Sequence, residues 1–230
     1  MSRRVVLIPG TWAFKGDLAW EERDLSRPLD WFEPGHPFRI FLQAHDLDPL
    51  AFTWDGDVGG VGIGDRDLRG WRAWGLALHA FVVPSLCPQM RIPGDELILV
   101  SHSHGGQVAA AALAAGLKAA AWLDVASPVR RDAGMVDIYR RARANVQQWT
   151  HLYGGTKDRW QIRGAWDLGN PLNFFKVSRE NTHAHRNYQI SVDADHDDYL
   201  QDERYYHYLA DLIQTAPAYP VRGGLTPDAA

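Results

Sequence analysis

The chain has 230 residues, a formal net charge of -4 and 23% charged residues. This length suits one domain with a sizeable core, and the mild acidity argues against a nucleic-acid-binding surface. The single cysteine, Cys87, excludes an internal disulfide framework and a cysteine-based metal site. We expect a single domain over residues 1–216 that does not bind nucleic acid, with a loosely ordered tail over 217–230.

The start of the chain does not have the pattern of a secretory signal. The first four residues include two arginines, but only Val5–Ile8 form an apolar run before Pro9, which is too short for the core of a signal peptide. No segment approaches the about 20 apolar residues of a membrane-spanning helix. We therefore expect a cytoplasmic protein without a membrane span.

Three strands and one helix are predicted in the first part of the chain. The apolar run Val5–Ile8, ended by a proline and a glycine, is typical of a parallel strand buried on both faces. Phe38–Ala44 is predicted as a short strand and Leu50–Trp54 as another. Apolar and small residues at near-helical spacing predict a helix within 68–86.

Strands and helices alternate in the second part of the chain. The predicted strands are Leu97–Val100, Ala120–Ala126, Trp149–Tyr153 and Tyr188–Val192, and the predicted helices are Gln107–Leu117, Met135–Gln148 and Tyr199–Thr215. This alternation predicts an α/β fold with a mostly parallel central sheet and helices on both faces. Side chains that follow the strands are therefore expected to meet at the carboxyl edge of the sheet.

Ser103 lies where a predicted strand turns directly into a predicted helix. Ser101 and Gly105 lie two positions to either side of it. A serine between small residues at such a turn is the pattern of a nucleophile elbow, in which the helix packs close to the strand. The usual pattern has glycine at both flanking positions, and Ser101 departs from it. Ser103 is the predicted nucleophile.

A serine hydroxyl needs a neighbouring base to remove its proton. His196 is the candidate base, because it follows the last predicted strand and precedes the last helix. His183 and His185, in a segment without a predicted element, are the alternatives. His102 and His104 flank Ser103, and we expect His102 to pack under the sheet and His104 to face the cleft without reaching the serine proton.

The base needs an acid that fixes its tautomer. Asp158 is the candidate because it lies a few residues beyond a predicted strand, from which it can reach the sheet edge. Asp167 is an alternative, and Asp124 is possible if the acid comes from the preceding strand. Asp195 and Asp197 are interpreted as solvated turn residues.

Attack of a serine hydroxyl on an acyl group gives a tetrahedral intermediate, and two hydrogen-bond donors are needed to stabilise its oxyanion. The backbone N–H of His104, at the start of a helix, is predicted to be one of them. The other is predicted to be the amide of Thr11 or Trp12, with Gly10 allowing the backbone to approach. Consecutive residues on a sharp turn do not converge on one ion, so no metal site is expected, and no cofactor is expected either.

The chain resembles the α/β-hydrolase superfamily over residues 5–213, through the elbow and the order serine, acid, histidine. It is most similar to small bacterial lipase/esterase-like hydrolases that open with His-Gly-Thr-Trp-Ala, where this chain has proline in place of the histidine. Residues 52–56 and 158–165 resemble further stretches of these proteins, and the second favours Asp158 as the acid. The resemblance implies an α/β-hydrolase fold with minimal or no lid.

The same resemblance implies hydrolysis of carboxylic ester bonds through an acyl-enzyme on Ser103, with His196 returning the proton to the alcohol. Trp12 and Trp160 lie in aromatic segments expected to shape the pocket for a small-molecule ester with apolar or aromatic parts. The alternatives are an amide, thioester or envelope lipid or polymer hydrolase on the same triad, and a non-catalytic ligand-binding domain.

Overall fold

The computed structural model describes residues 4–10, 31–32, 34–52, 72, 75–79, 97–131, 133–154, 158, 177–178, 180–189, 196 and 202–215. The strands are β1 (Arg4–Ile8), β2 (Asp48–Ala51), β3 (Leu97–His102), β4 (Ala119–Val125), β5 (Val129–Arg130), β6 (Val146–Tyr153), β7 (Val177–Ser178) and β8 (Arg186–Gln189). The helices are α1 (Pro37–Ala44), α2 (Gly105–Ala114), α3 (Ala133–Ala144) and α4 (Glu203–Gln214) in the described part of the chain. Residues 72 and 75–79 are also helical.

Within the described ranges, six strands form one sheet in the order β2-β1-β3-β4-β6-β8, and every neighbouring pair is parallel. β5 and β7 form a separate short antiparallel pair that the sequence patterns do not predict. All residues of β3 and β4 are buried, as expected for central strands covered on both faces. This confirms the predicted α/β architecture.

The two faces of the sheet carry separate apolar layers. Successive side chains of a strand point to opposite faces, so Val6 and Ile8 belong to one layer and Val5 and Leu7 to the other. The first layer includes residues of α2 and α3, among them Leu113 and Ile138; the second includes residues of α1 and α4, among them Phe38 and Leu209. The helices therefore lie on both faces.

The prediction of a strand over Phe38–Ala44 is wrong, because this segment belongs to helix α1. Pro37 stands at the first helical position, where its missing N–H costs nothing. The ring Nδ1 of His36 accepts the backbone N–H of Phe38 at 3.1 Å and caps the helix. Phe38 and Leu42, one turn apart, are the buried side chains of the helix.

Several predicted bounds differ from the observed ones. Helix α3 ends at Ala144, whereas the prediction extended it to Gln148, and β6 begins at Val146. β2 begins at Asp48, two residues before the predicted start, and it contains Pro49. This proline is tolerated because β2 lies at the edge of the sheet that the described residues form. Of the predicted helix within 68–86, only residues 72 and 75–79 are described.

The carboxyl ends of β1 and β3 are neighbours in the sheet, where Ile8 pairs with Ser101. β2 lies on one side of β1 and β3 lies on the other, so the chain changes direction across the sheet at this point. Such switch points are where open α/β sheets form crevices for ligands. The turns after β1 and β3 therefore meet at this edge.

No helix in the described ranges has the length and apolar character needed to cross a membrane.

Candidate active site

Ser103 lies in the turn that joins β3 directly to α2. Its φ is 53°, in the left-handed region that a residue with a side chain seldom adopts. The backbone N–H of Ser103 donates to the carbonyl of Val125 at 3.0 Å, and the Ser103 carbonyl accepts the N–H of Gly106 at 3.0 Å. The first bond ties Ser103 to the end of β4 and the second ties it to the first turn of α2. Together they stabilise its strained backbone conformation.

The turn after β1 packs directly against Ser103. A Cβ atom added to Gly10 would lie 2.7 Å from the Cβ of Ser103 and 3.3 Å from its Oγ. A Cβ on Gly105 would lie 2.6 Å from the carbonyl oxygen of Pro9. Both positions need glycine because two backbones approach each other here without room for a side chain.

Asp158 and His196 form a buried pair. The Nδ1 of His196 lies 2.9 Å from Oδ1 of Asp158, and the two residues are 8% and 0% exposed. A carboxylate accepts hydrogen bonds, so this contact places a proton on Nδ1 of the imidazole. In the neutral ring, Nε2 is then left as the proton acceptor.

His196 also lies beside the residue that precedes Ser103. The Nε2 of His102 is 2.8 Å from the carbonyl oxygen of His196, and the two imidazole ring centres are 4.7 Å apart. The structure thus brings Asp158 and His196 into contact and sets them against the end of β3. The His102 side chain is itself buried.

Asp124, an alternative acid, contacts a different histidine. Its Oδ2 lies 2.8 Å from Nδ1 of His151, and both side chains are buried. These residues are lateral partners in β4 and β6. The described contacts of Asp124 therefore belong to the interior of the sheet.

The alternative bases His183 and His185 lie near α3 and the middle of β6. The His183 ring is 5.8 Å from that of Tyr139, and Nδ1 of His185 accepts the backbone N–H of Trp149 at 2.9 Å. Partial desolvation, and then the charge of Arg143, lower the pKa of both histidines. For His185, Arg186 lowers the pKa further.

His104 is the N-cap residue of α2, so its backbone lies at the positive end of that helix. Other residues of the sequence-based site, Thr11, Trp12, Trp160 and Asp167, lie outside the described residues. Within the described ranges there is no group of three or more histidine, cysteine, aspartate or glutamate residues that could hold a metal ion.

A buried polar network beneath the turn was missed in the sequence. The Ser101 hydroxyl donates to Asp124 Oδ1 at 3.1 Å and accepts the indole N–H of Trp122 at 2.8 Å. Ser127 also donates to Asp124. The available signal was an aspartate inside an otherwise apolar strand, because a buried carboxylate needs partners.

Comparisons with known proteins place this geometry in context. No protein-family profile matches the sequence, and no curated protein matches it. Solved structures do match: an esterase of Pyrococcus furiosus, Pf2001, aligns with a TM-score of 0.52 and 13% identity over 94% of this chain and 82% of its own. A sugar hydrolase from Lactococcus lactis, YeeB, aligns with a TM-score of 0.52 and 10% identity over 92% and 88%.

An acetyl xylan esterase from Paenibacillus sp. R4 also aligns, with a TM-score of 0.52 and 10% identity over 94% of this chain and 75% of its own. At such low identities the likeness concerns the course of the backbone. Together with the parallel sheet and its two helical layers, it shows that this chain has the α/β-hydrolase fold.

Proposed function

We propose that the protein is a serine hydrolase that cleaves carboxylic ester bonds through an acyl-enzyme on Ser103. The observation that carries the proposal is the buried Asp158–His196 contact of 2.9 Å, held against the end of the strand that leads into Ser103. The φ of 53° at Ser103 supports it, since a strained serine between strand and helix is the geometry of a nucleophile elbow.

In this proposal His196 is the general base. Its Nε2 takes the proton of the Ser103 hydroxyl as the oxygen attacks the ester carbonyl and forms a tetrahedral intermediate. The C–O bond to the alcohol then breaks, and the alcohol leaves with the proton from His196. A water molecule, deprotonated by His196, attacks the acyl-enzyme; the carboxylic acid leaves and Ser103 regains its proton.

Asp158 would hold His196 in the tautomer that this cycle needs. Nδ1–H of His196 donates a hydrogen bond to the carboxylate, so Nε2 is the nitrogen that can accept the serine proton. The negative charge of Asp158 then stabilises the imidazolium that forms. Burial of Asp158 supports this role, because water competes little for its oxygen atoms.

Two backbone amides would stabilise the oxyanion. The N–H of His104 is proposed as one, because it follows the nucleophile at the start of α2, where the helix dipole favours negative charge. The second is proposed to be the amide of Thr11 or Trp12. The support is the contact between Gly10, which precedes them, and the Ser103 side chain.

The proposed substrate is a small-molecule carboxylic ester. Two of the solved structures of similar fold are named as esterases and one as a sugar hydrolase, which supports a substrate with a hydrolysable bond of this kind. Trp12 and Trp160 are proposed to line the acyl or alcohol pocket, which favours apolar or aromatic groups there.

A series of p-nitrophenyl esters of increasing acyl chain length tests this function. We expect turnover of at least the short-chain esters, and Ser103→Ala should abolish it while leaving the thermal unfolding transition in place. Alanine keeps the Cβ atom of Ser103 and removes only the hydroxyl, so we expect the variant to fold and to lose activity for lack of a nucleophile. Turnover that survives in purified Ser103→Ala protein, or its absence on every ester with native protein, would count against the proposal.

A further inference from the structure

His102 is the last residue of β3 and directly precedes Ser103. Side chains alternate along a strand, so it shares a face with Val100 rather than with Ser101. Its ring is buried and lies 6.4 Å from the ring of Trp31, with the two planes nearly perpendicular. The side chain is thus packed on the face opposite to the Asp124 network.

A hydrogen bond joins this ring to the backbone of His196. The distance from His102 Nε2 to the His196 carbonyl oxygen is 2.8 Å. A carbonyl oxygen only accepts, so Nε2 of His102 carries a proton and donates it. The two residues are 94 positions apart in the chain, and the bond lies in a buried environment where such bonds are strong.

We propose that His102 is a positioning residue that fixes the main chain of His196 to the strand carrying Ser103. The inference rests on the proposed function. The bond from Asp158 holds His196 only at ring atom Nδ1, about which the imidazole could still swing. The bond from His102 holds the same residue at its main chain. Two hydrogen bonds, one to the ring and one to the main chain, fix both the position and the orientation of the imidazole.

The direct link also sets the separation between base and nucleophile. His102 and Ser103 are consecutive, and the N–H of Ser103 is fixed to the carbonyl of Val125. A shift of His196 away from His102 is therefore a shift away from the serine. Misplacement of a reacting group by about 1 Å can cost on the order of 100-fold in rate.

Two variants distinguish the effect of the His102 hydrogen-bond donor from the effect of the size of its ring. His102→Gln retains an N–H donor at a reach similar to that of Nε2, whereas His102→Phe retains a flat ring without a donor. We expect His102→Phe to lower kcat on a p-nitrophenyl ester by about 10- to 100-fold with KM within about threefold, since ground-state binding is untouched. His102→Gln should recover most of the lost kcat.

A native-like kcat in folded His102→Phe would overturn the proposal, and so would a loss in His102→Gln as deep as in His102→Phe. A KM that rises while kcat stays constant would overturn it too. Should the Phe variant not fold, His102→Leu provides the donor-free comparison. Native protein that hydrolyses no ester removes the proposed function together with this role, whereas active native protein with equally active His102→Phe removes the role alone.

An NMR spectrum of protein labelled with ¹⁵N-histidine gives a readout that does not depend on activity. The Nε2 signal of His102, assigned by its disappearance in His102→Gln, should have the shift and attached proton of a protonated nitrogen. An Nε2 without a proton would overturn the proposal, because such a nitrogen cannot donate to the His196 carbonyl.

Discussion

At the scale of single residues, Ser101 shows how a departure from a motif can be explained by its surroundings. Glycine is usual at this position, two residues before the elbow serine. Here the hydroxyl lies between the indole N–H of Trp122 and the carboxylate of Asp124. It therefore gives two buried polar groups a partner that a glycine would not supply.

Replacement of Ser101 by alanine should lower the free energy of unfolding by about 1–3 kcal/mol, because it leaves two buried groups each without one hydrogen bond. Urea denaturation measures this loss. Thr150→Val is the matched control: its Oγ1 is buried and has no hydrogen-bond partner among the described residues, so removal of that hydroxyl should be close to neutral or stabilising. Equal losses in both variants would refute the assigned role of the Ser101 hydroxyl.

Two buried aspartate–histidine pairs in the described part of the chain are predicted to respond differently. Asp158→Asn should reduce kcat by about 10⁴-fold, because an amide supports the wrong tautomer of His196. Asp124→Asn alters a similar pair inside the sheet, and we expect its main effect on unfolding, with kcat of the folded protein lowered by less than about tenfold. Steady-state kinetics of both variants decide this, and a deeper loss of kcat in Asp124→Asn would assign the acid to that residue.

At the scale of elements, β8, the last strand of the described sheet, is joined to β6 through a histidine that directly precedes it. His185 lies directly before β8, and its Nδ1 accepts the backbone N–H of Trp149 in β6. Its backbone N–H donates to the Trp149 carbonyl at 2.9 Å. The neutral form of the imidazole is needed for the first bond, because a protonated Nδ1 cannot accept.

This bond predicts a pH dependence of stability. Desolvation, then the charges of Arg143 and Arg186, lower the pKa of folded His185 below its usual value of 6.5. The unfolded chain therefore binds the proton first, so the contribution is complete above pH 6.5 and is lost as the pH falls from there toward the lower folded pKa.

His185→Asn retains an acceptor near Nδ1 but does not titrate. Between about pH 7.5 and 5.5, the native protein should lose more stability than this variant does, as measured by urea unfolding at each pH. Parallel curves for the two proteins would contradict the role given to His185.

The elements that the sequence predicted well are those with an unambiguous burial pattern. Val5–Ile8 and Leu97–Val100 are continuous apolar runs, which a sheet covered on both faces requires. Phe38–Ala44 is helical although its pattern predicts a strand, because a short apolar segment fits the period of either element. The proline at its start and the four-residue spacing of Phe38 and Leu42 favour a helix.

The candidate site likewise contains parts that local sequence patterns predict and parts that they do not. Ser103 is recognisable from its immediate neighbours, because an elbow is a local structure. The contact between His196 and Asp158 joins residues 38 positions apart, and that of His102 with His196 spans 94. Long-range contacts depend on the sheet order and on the paths of the loops, which local patterns do not specify. Ser101, Asp124 and His151 meet only because three strands place them in lateral register.

At the scale of the whole molecule, one sheet connects two apolar layers. Leu209 of α4 is fully buried on the face opposite to α2. The strands between the layers contribute side chains to both, so loosening one layer should weaken the other.

Leu209→Ala should lower the free energy of unfolding by about 2–5 kcal/mol through loss of buried surface and the cavity left behind. Leu76→Ala is the matched control, because that side chain is 59% exposed and its loss should cost less than about 0.5 kcal/mol. In Leu209→Ala, amide hydrogen exchange in β4 should become faster by the factor that corresponds to the loss in free energy of unfolding. Unchanged protection of β4 would indicate that the layers unfold independently.

The central claim is that Ser103 is a nucleophile activated by His196. The most direct measurement is mass spectrometry of peptides from protein treated with a fluorophosphonate, in native form and as His196→Ala. We predict a single adduct on the peptide bearing Ser103, formed much more slowly in His196→Ala. Labelling on another serine, or equally rapid labelling of Ser103 without His196, would contradict the claim.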